Sequence, residues 1–273
     1  MHGQWGYGAA VTTGMDPICD DLEAETAALL ATLRPLSDAQ WDTPTPADGW
    51  NVRDQISHLA YFDGTGLLAA TDEEGFQRSA AAMLAGEVDD FGLPEGRAMV
   101  PAALLDWFTS ARAGMVSAFR QLDPKARLPW YGPAMGALSF ATARLMETWA
   151  HGQDVADTFD IVCTPTDRLR HVAHIGVRAR AFSYATNRLS TPDGDIHVEL
   201  VGPSGDIWSW HDAAGDANTV TGPALDFCLA VTQRRNVADT ELVVTGPLAH
   251  EWMGIAQAFA GPPGTGRLPG QFG

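Results

Sequence analysis

Glu147 and His151 stand four residues apart in the run LSFATARLMETWAHGQDVADTFD, residues 138–160. On a helix this spacing sets both side chains on one face, a turn apart. A carboxylate and an imidazole so placed make two good ligands for a divalent metal. His58, in QISHLAYF on a different predicted helix, has apolar neighbours that turn it at least partly inward and would supply a third N/O donor. Three such ligands leave a coordination position open for water or substrate, as in a catalytic zinc site. Helical bundles place such metals between facing helices. Spacing alone leaves the ordinary alternative standing: Glu-x-x-x-His recurs by chance, and a single histidine is commonly a hydrogen-bonded core or surface residue.

Other polar residues fall near these three. Arg144 and Asp154 share the stripe of Glu147 and His151. Asp154 is a candidate to orient a ligand or touch substrate. Arg144 is a candidate to meet a substrate carboxylate, with an exposed surface position as its alternative. Gln55, three before His58, is a candidate to line the same pocket. Asp54, four before His58, either orients its imidazole or is only a helix-start charge. His171 and His174 fall on one predicted helix but are not expected to form a second metal pair, and Trp208, Trp210 and Trp252 are read as core. There is no GxSxG element to support Ser-His-Asp catalysis.

The elements that must position these residues are mostly helical. Apolar periodicity predicts helices over 16–34, 52–70, 72–85, 101–122, 138–160 and 167–189. Pro35 ends the first, and Asn51 is the expected N-cap of the second, with Asp54 at its N3 position. Residues 86–98 and the proline-rich 123–136 read as loops. After Ser190 the pattern changes. Ile196, Val198 and Leu200 alternate with His197 and Glu199 as in a half-buried strand, followed by strands in DIWSWH and ELVVTG. Thr221 and Pro223 suit the start of a helix PALDFCLAVTQRR, whose end carries Arg234 and Arg235, and PLAHEWMGIAQAFA reads as a last helix. The expected organisation is a flexible arm over 1–15, a helical bundle over 16–190 and a small α+β domain over 191–273.

The chain of 273 residues carries 34 acidic and 17 basic residues, a formal charge of −17. A field of that sign repels phosphate backbones and anionic membrane surfaces, so nucleic acid and membrane are not expected partners. No apolar run approaches the roughly 20 residues of a membrane helix. The N-terminal stretch lacks a basic region and an apolar core, and so does not read as a secretory signal. The three cysteines, Cys19, Cys163 and Cys228, have neither metal nor redox spacing, as expected of incidental thiols in a reduced, cytoplasmic protein.

The segment WDTPTPADGWNVRDQISHLAYFD, with LMETWAHGQDVAD far downstream, resembles the DinB-like metalloenzymes, specifically the mycothiol-dependent maleylpyruvate isomerase family. The resemblance implies a mainly α fold: a DinB-like four-helix bundle with a small C-terminal α+β domain. It assigns the metal to His58, Glu147 and His151, most commonly zinc, with iron, nickel or manganese open to the same ligands. It implies a low-molecular-weight thiol such as mycothiol beside the metal, whose lowered pKa would serve isomerisation or S-transfer on a small electrophilic substrate. In some relatives a C-terminal arginine helps bind the thiol or acid, a part for which Arg234 and Arg235 are the candidates here. The C-terminal stretch also resembles a subgroup labelled "wyosine base formation". The two-to-one acidic excess and the unclustered cysteines oppose a tRNA-modifying, iron–sulfur reading. A thiol-independent metal enzyme using bound water, and a non-catalytic binding protein on the same fold, are the alternatives. Monomer and homodimer are both open.

Overall fold

The computed structural model describes residues 14–85, 90–212 and 217–272. The expected arm, apart from Gly14 and Met15, lies outside the described residues, as do 86–89 of the expected loop. Four long helices form the bundle: α1 (Asp16–Leu33), α2 (Val52–Thr71), α5 (Pro101–Arg120) and α6 (Ala137–Thr158). Helix α2 packs along α5 and α6, and α1 along α6. Short helices α3 (Glu73–Leu84) and α4 (Leu93–Ala98) connect α2 to α5.

Two helix starts shape the region around His58. Asn51 caps α2 as expected, its side chain accepting from the Asp54 N–H while an Asp54 carboxylate oxygen accepts from the Asn51 N–H, both at 3.0 Å. This reciprocal pair satisfies two otherwise orphaned donors. The stretch 86–98 is not all loop: Gly92, at φ 83°, turns the chain into α4, with a proline in its first turn. Helix α4 lies against α2, where Gly96 sits over Ser57. Another expected loop contains a two-residue pairing, β1 (Arg127–Leu128) with β2 (Met135–Gly136).

The expected helix over 167–189 is two helices, α7 (Leu169–Arg178) and α8 (Arg180–Thr186), joined at Ala179 with ψ 3°. The break lets α7 bury Val172, Ala173 and Val177 while α8 turns Ser183 and Tyr184 inward. Beyond it, a four-stranded sheet has the order β4-β3-β5-β6. Strands β3 (His197–Val201), β4 (Ile207–Trp210) and β6 (Val243–Thr245) were legible. Strand β5 (Thr219–Pro223) replaces the expected helix start. Its β-branched Thr-Val-Thr run pairs in parallel with β3, and helix α9 (Ala224–Val231) begins only after Pro223, without a side-chain cap. The last helix, α10 (Pro247–Met253), stops at Gly254, shorter than expected.

Trp208 and Trp252 are buried in this region's core, with Trp210 at its margin. One apolar cluster runs from Met15 through α6 and α7 to Ala258, so the core is continuous across position 190. A second cluster, built on Leu29, Trp41, Ile56, Leu59 and Phe108, closes the other part of the bundle. Among the described residues, no helix is long and apolar enough to cross a membrane.

Candidate metal centre

Helix α2 delivers His58 and helix α6 delivers Glu147 and His151. One ligand atom from each lies within 4.8 Å of the others. The His58 and His151 ring centroids are 4.8 Å apart, and the Glu147 carboxylate is 3.2 Å from His151 Nε2. Trp50, from the turn before α2, lies nearly parallel to His151 at 5.8 Å and tilted against His58 at 5.1 Å. Phe62, one turn after His58, meets that ring edge-on at 4.7 Å. The Glu147 side chain keeps 20% exposure, which leaves the group reachable from solvent.

Protonation in this cluster follows from burial and charge. Burial first, then His151, pushes the His58 imidazole well below its ordinary value, so His58 is neutral at pH 7. Burial alone would raise Glu147, but its hydrogen bond and charge interaction with His151, with Arg144 and His58 behind, hold it down at about 2. Two imidazoles and one ionised carboxylate form a donor set suited to a divalent cation. The fit has a second sign. Buried His58 Nδ1 has no hydrogen-bond partner among the described residues, an arrangement that costs free energy unless something accepts its lone pair or proton. These residues therefore fit a metal.

The remaining candidates occupy distinct places. Gln55, fully buried, touches not His58 but His151, its Oε1 lying 2.5 Å from Nδ1. Asp54 does not reach His58. It closes the α2 cap and binds Arg97 through both carboxylate oxygens at 2.8 and 2.9 Å. Arg144 is buried rather than on the surface, and it donates to Asp63 at 3.0 Å and to the Leu59 carbonyl. Asp63 also takes Arg112 at 2.7 Å, and Arg112 extends to Thr26 and Thr148. This network of two arginines on one carboxylate places net positive charge behind Glu147.

Asp154, one turn beyond His151, accepts from Arg234 and Arg267, each at 2.8 Å. Arg234 is close enough to His58 to disfavour its protonation. Arg235 pairs instead with Asp157 and packs over Phe272. It borders a separate cleft of about 850 Å³ on the other side of α6, shared with Trp149, Cys163 and Leu229. His171 and His174 are separately engaged, by Asp21 and by the Trp210 indole.

Sequence reasoning missed Trp50, Thr45, Asp63, Arg112 and Arg267 as members of this neighbourhood. Asp63 carried a usable signal, an acid in the apolar part of a predicted helix, which demands a buried partner. Arg267 carried none, lying in a Gly/Pro tail without periodicity.

Residues 22–156 match the family described as "Mycothiol maleylpyruvate isomerase N-terminal domain". Two uncharacterised proteins of Mycobacterium tuberculosis, from strains CDC 1551 / Oshkosh and ATCC 25618 / H37Rv, are each 46% identical over 254 residues, 92% of this chain and 98% of the relative. The crystal structures of the mycothiol-dependent maleylpyruvate isomerase and of a histidine-to-alanine mutant of it superpose with TM-scores of 0.53 and 0.54 at 15% identity, covering 81% of this chain and 90% of theirs. At that identity the likeness is one of fold.

Proposed function

From the premise that the chain belongs to the mycothiol-dependent maleylpyruvate isomerase family of DinB-like proteins, we propose that it is a metal-dependent isomerase or transferase acting on a small electrophilic substrate with a low-molecular-weight thiol. His58, Glu147 and His151 would hold the ion, proposed to be zinc. The observation that carries this reading is the convergence of three N/O donors from two helices within 4.8 Å, with His58 Nδ1 buried and unpartnered. A bound divalent ion would supply the positive charge that lowers the pKa of a thiol or water at the open position.

The chain's own residues do the rest. Burial keeps His58 neutral, so its lone pair stays available as a donor. A hydrogen bond with His151, with the charge of Arg144 behind, keeps Glu147 ionised. Trp50 and Phe62 wall the ligands with aromatic surface, which restricts water and favours an apolar substrate portion. Arg234 is the proposed anion-facing group for a thiol or substrate carboxylate. It stands near His58 and shares its carboxylate partner with Arg267, which leaves net positive charge there. Arg235, bidentate on Asp157, is a less available candidate for the same part.

Metal analysis of the purified protein and of the variant with His58, Glu147 and His151 all changed to Ala tests the centre. Stoichiometric zinc in the first and none in the second is expected, and equal content in both would overturn it. Calorimetric titration of the zinc-loaded protein with mycothiol tests the thiol. No heat at millimolar thiol would replace the thiol reading with that of a metal enzyme using water.

A further inference from the structure

The turn that precedes α2 does more than place the Trp50 ring. Its backbone closes on itself, with Thr45 N–H donating to the Trp50 carbonyl at 2.8 Å and the residues on either side bridging as Pro44 with Asn51. Gly49, at φ 75°, makes the reversal, a conformation that glycine adopts without penalty. The Thr45 hydroxyl also donates to the Trp50 carbonyl, at 3.0 Å. A carbonyl oxygen only accepts, so this bond spends the hydroxyl's one proton and leaves Oγ1 as an acceptor. Gln55 Nε2 donates to that oxygen at 2.8 Å. The amide oxygen of Gln55 therefore faces His151 Nδ1, and that nitrogen must carry a proton.

We propose that Thr45, acting through Gln55, is a positioning residue that fixes a proton on His151 Nδ1, so that the proton a metal would displace is the one Nε2 gives to the Glu147 carboxylate in the metal-free site. The hydrogen-bond chain stands on its own geometry. Its consequence for metal binding rests on the proposed metal centre. Turning the Gln55 amide over would forfeit the Thr45 hydroxyl bond to the Trp50 carbonyl. It would also aim an NH2 group at Nδ1, which favours a proton on Nε2, the nitrogen the metal needs bare. Gln55 is fully buried, so an amide that loses its partner in the protein cannot turn to water instead. Thr45 touches neither the ligands nor any reacting atom and acts only through Gln55.

The test uses Thr45→Val, which keeps the side chain's shape and removes the oxygen, with Gln55→Leu and Gln55→Glu beside it. In the metal-free, folded wild type, the Gln55 side-chain NH2 protons should show nuclear Overhauser contacts to Thr45 and not to the His151 ring. In Thr45→Val they should move toward that ring. Zinc affinity, measured by chelator competition, should fall about 10–100-fold in Thr45→Val and Gln55→Leu, as for other groups that orient a metal-bound histidine. Gln55→Glu retains an acceptor for Nδ1–H and should bind at least as tightly as wild type. Wild-type amide contacts to the His151 ring, or unchanged zinc affinity in Thr45→Val, would overturn the proposal. Failure of the wild type to bind zinc would overturn the metal reading, while the metal-free amide contacts would still decide whether Thr45 sets the orientation.

Discussion

Asp154→Asn keeps the size of the side chain and removes the one carboxylate that two guanidinium groups share. Asp154 is 1% exposed, and Arg234 and Arg267 are 12% and 14% exposed, each 2.8 Å from it. Burial and the neighbouring Arg234 already push the Arg267 guanidinium below its ordinary value, although Asp154 pulls the other way. With Asn at 154, two cations confront each other and a neutral amide. Breaking a buried ion pair from one side costs about 3–5 kcal/mol, and the residual exposure of both arginines points to the lower end, roughly 3 kcal/mol. A protein of this size loses roughly 2–4 °C of Tm per kcal/mol, so the expected drop is about 6–12 °C. Urea midpoints and differential scanning calorimetry read it. Arg267→Met leaves Asp154 balanced by Arg234 alone and should cost less. Replacing all three residues by apolar ones of similar volume should be nearly neutral, because no buried charge is then left unpaired. An Asp154→Asn cost no larger than that of Arg267→Met would show that the two guanidinium groups do not depend on this shared carboxylate.

Three further outcomes are expected. Gly96→Ala puts a methyl 2.3 Å from Ser57 Cβ, so α4 must move off α2, at about 1–3 kcal/mol by urea unfolding. Ser57→Gly in the same chain should recover part of that loss, and no recovery would show that the contact is not the cause. Asp63→Asn leaves buried Arg112 and Arg144 without their shared carboxylate, and should lower stability by about 3–5 kcal/mol in thermal melts. A thiol reagent at neutral pH should label one cysteine per folded chain, the exposed Cys163. Burial raises Cys19 to about 11 and Cys228 well above its ordinary value, so both should react only after denaturation. Mass mapping of the labelled peptide checks this.

Local chemistry made much of this protein readable in its residues alone. The helices that carry the site follow from apolar periodicity, and the start of α2 follows from Asn51 and Asp54, because capping is a contact between residues three apart. Glu147 and His151 share a face for the same reason: a four-residue spacing is settled by helix geometry itself. Strand β3 announced itself by alternation, since one of its faces is half-buried.

What the tertiary structure decided were matters of distance in sequence. Strand β5 exists because β3 offers it a parallel partner, and its own Thr and Pro residues read equally well as a helix start. Gln55 reaches His151 across 96 positions, and Arg267 reaches Asp154 across 113. No local pattern encodes such pairings. They arise because a buried charge or amide must find a partner, and packing determines which one comes within 3 Å. Residues that looked like substrate contacts by their stripe, Arg144 and Asp154, were thereby drawn into ion pairs with Asp63, Arg234 and Arg267. The donor types of the candidate centre could be read along the chain, whereas their convergence, and the hydrogen bonds that run from the turn before α2 through Gln55 to His151, came from how α2 and α6 pack.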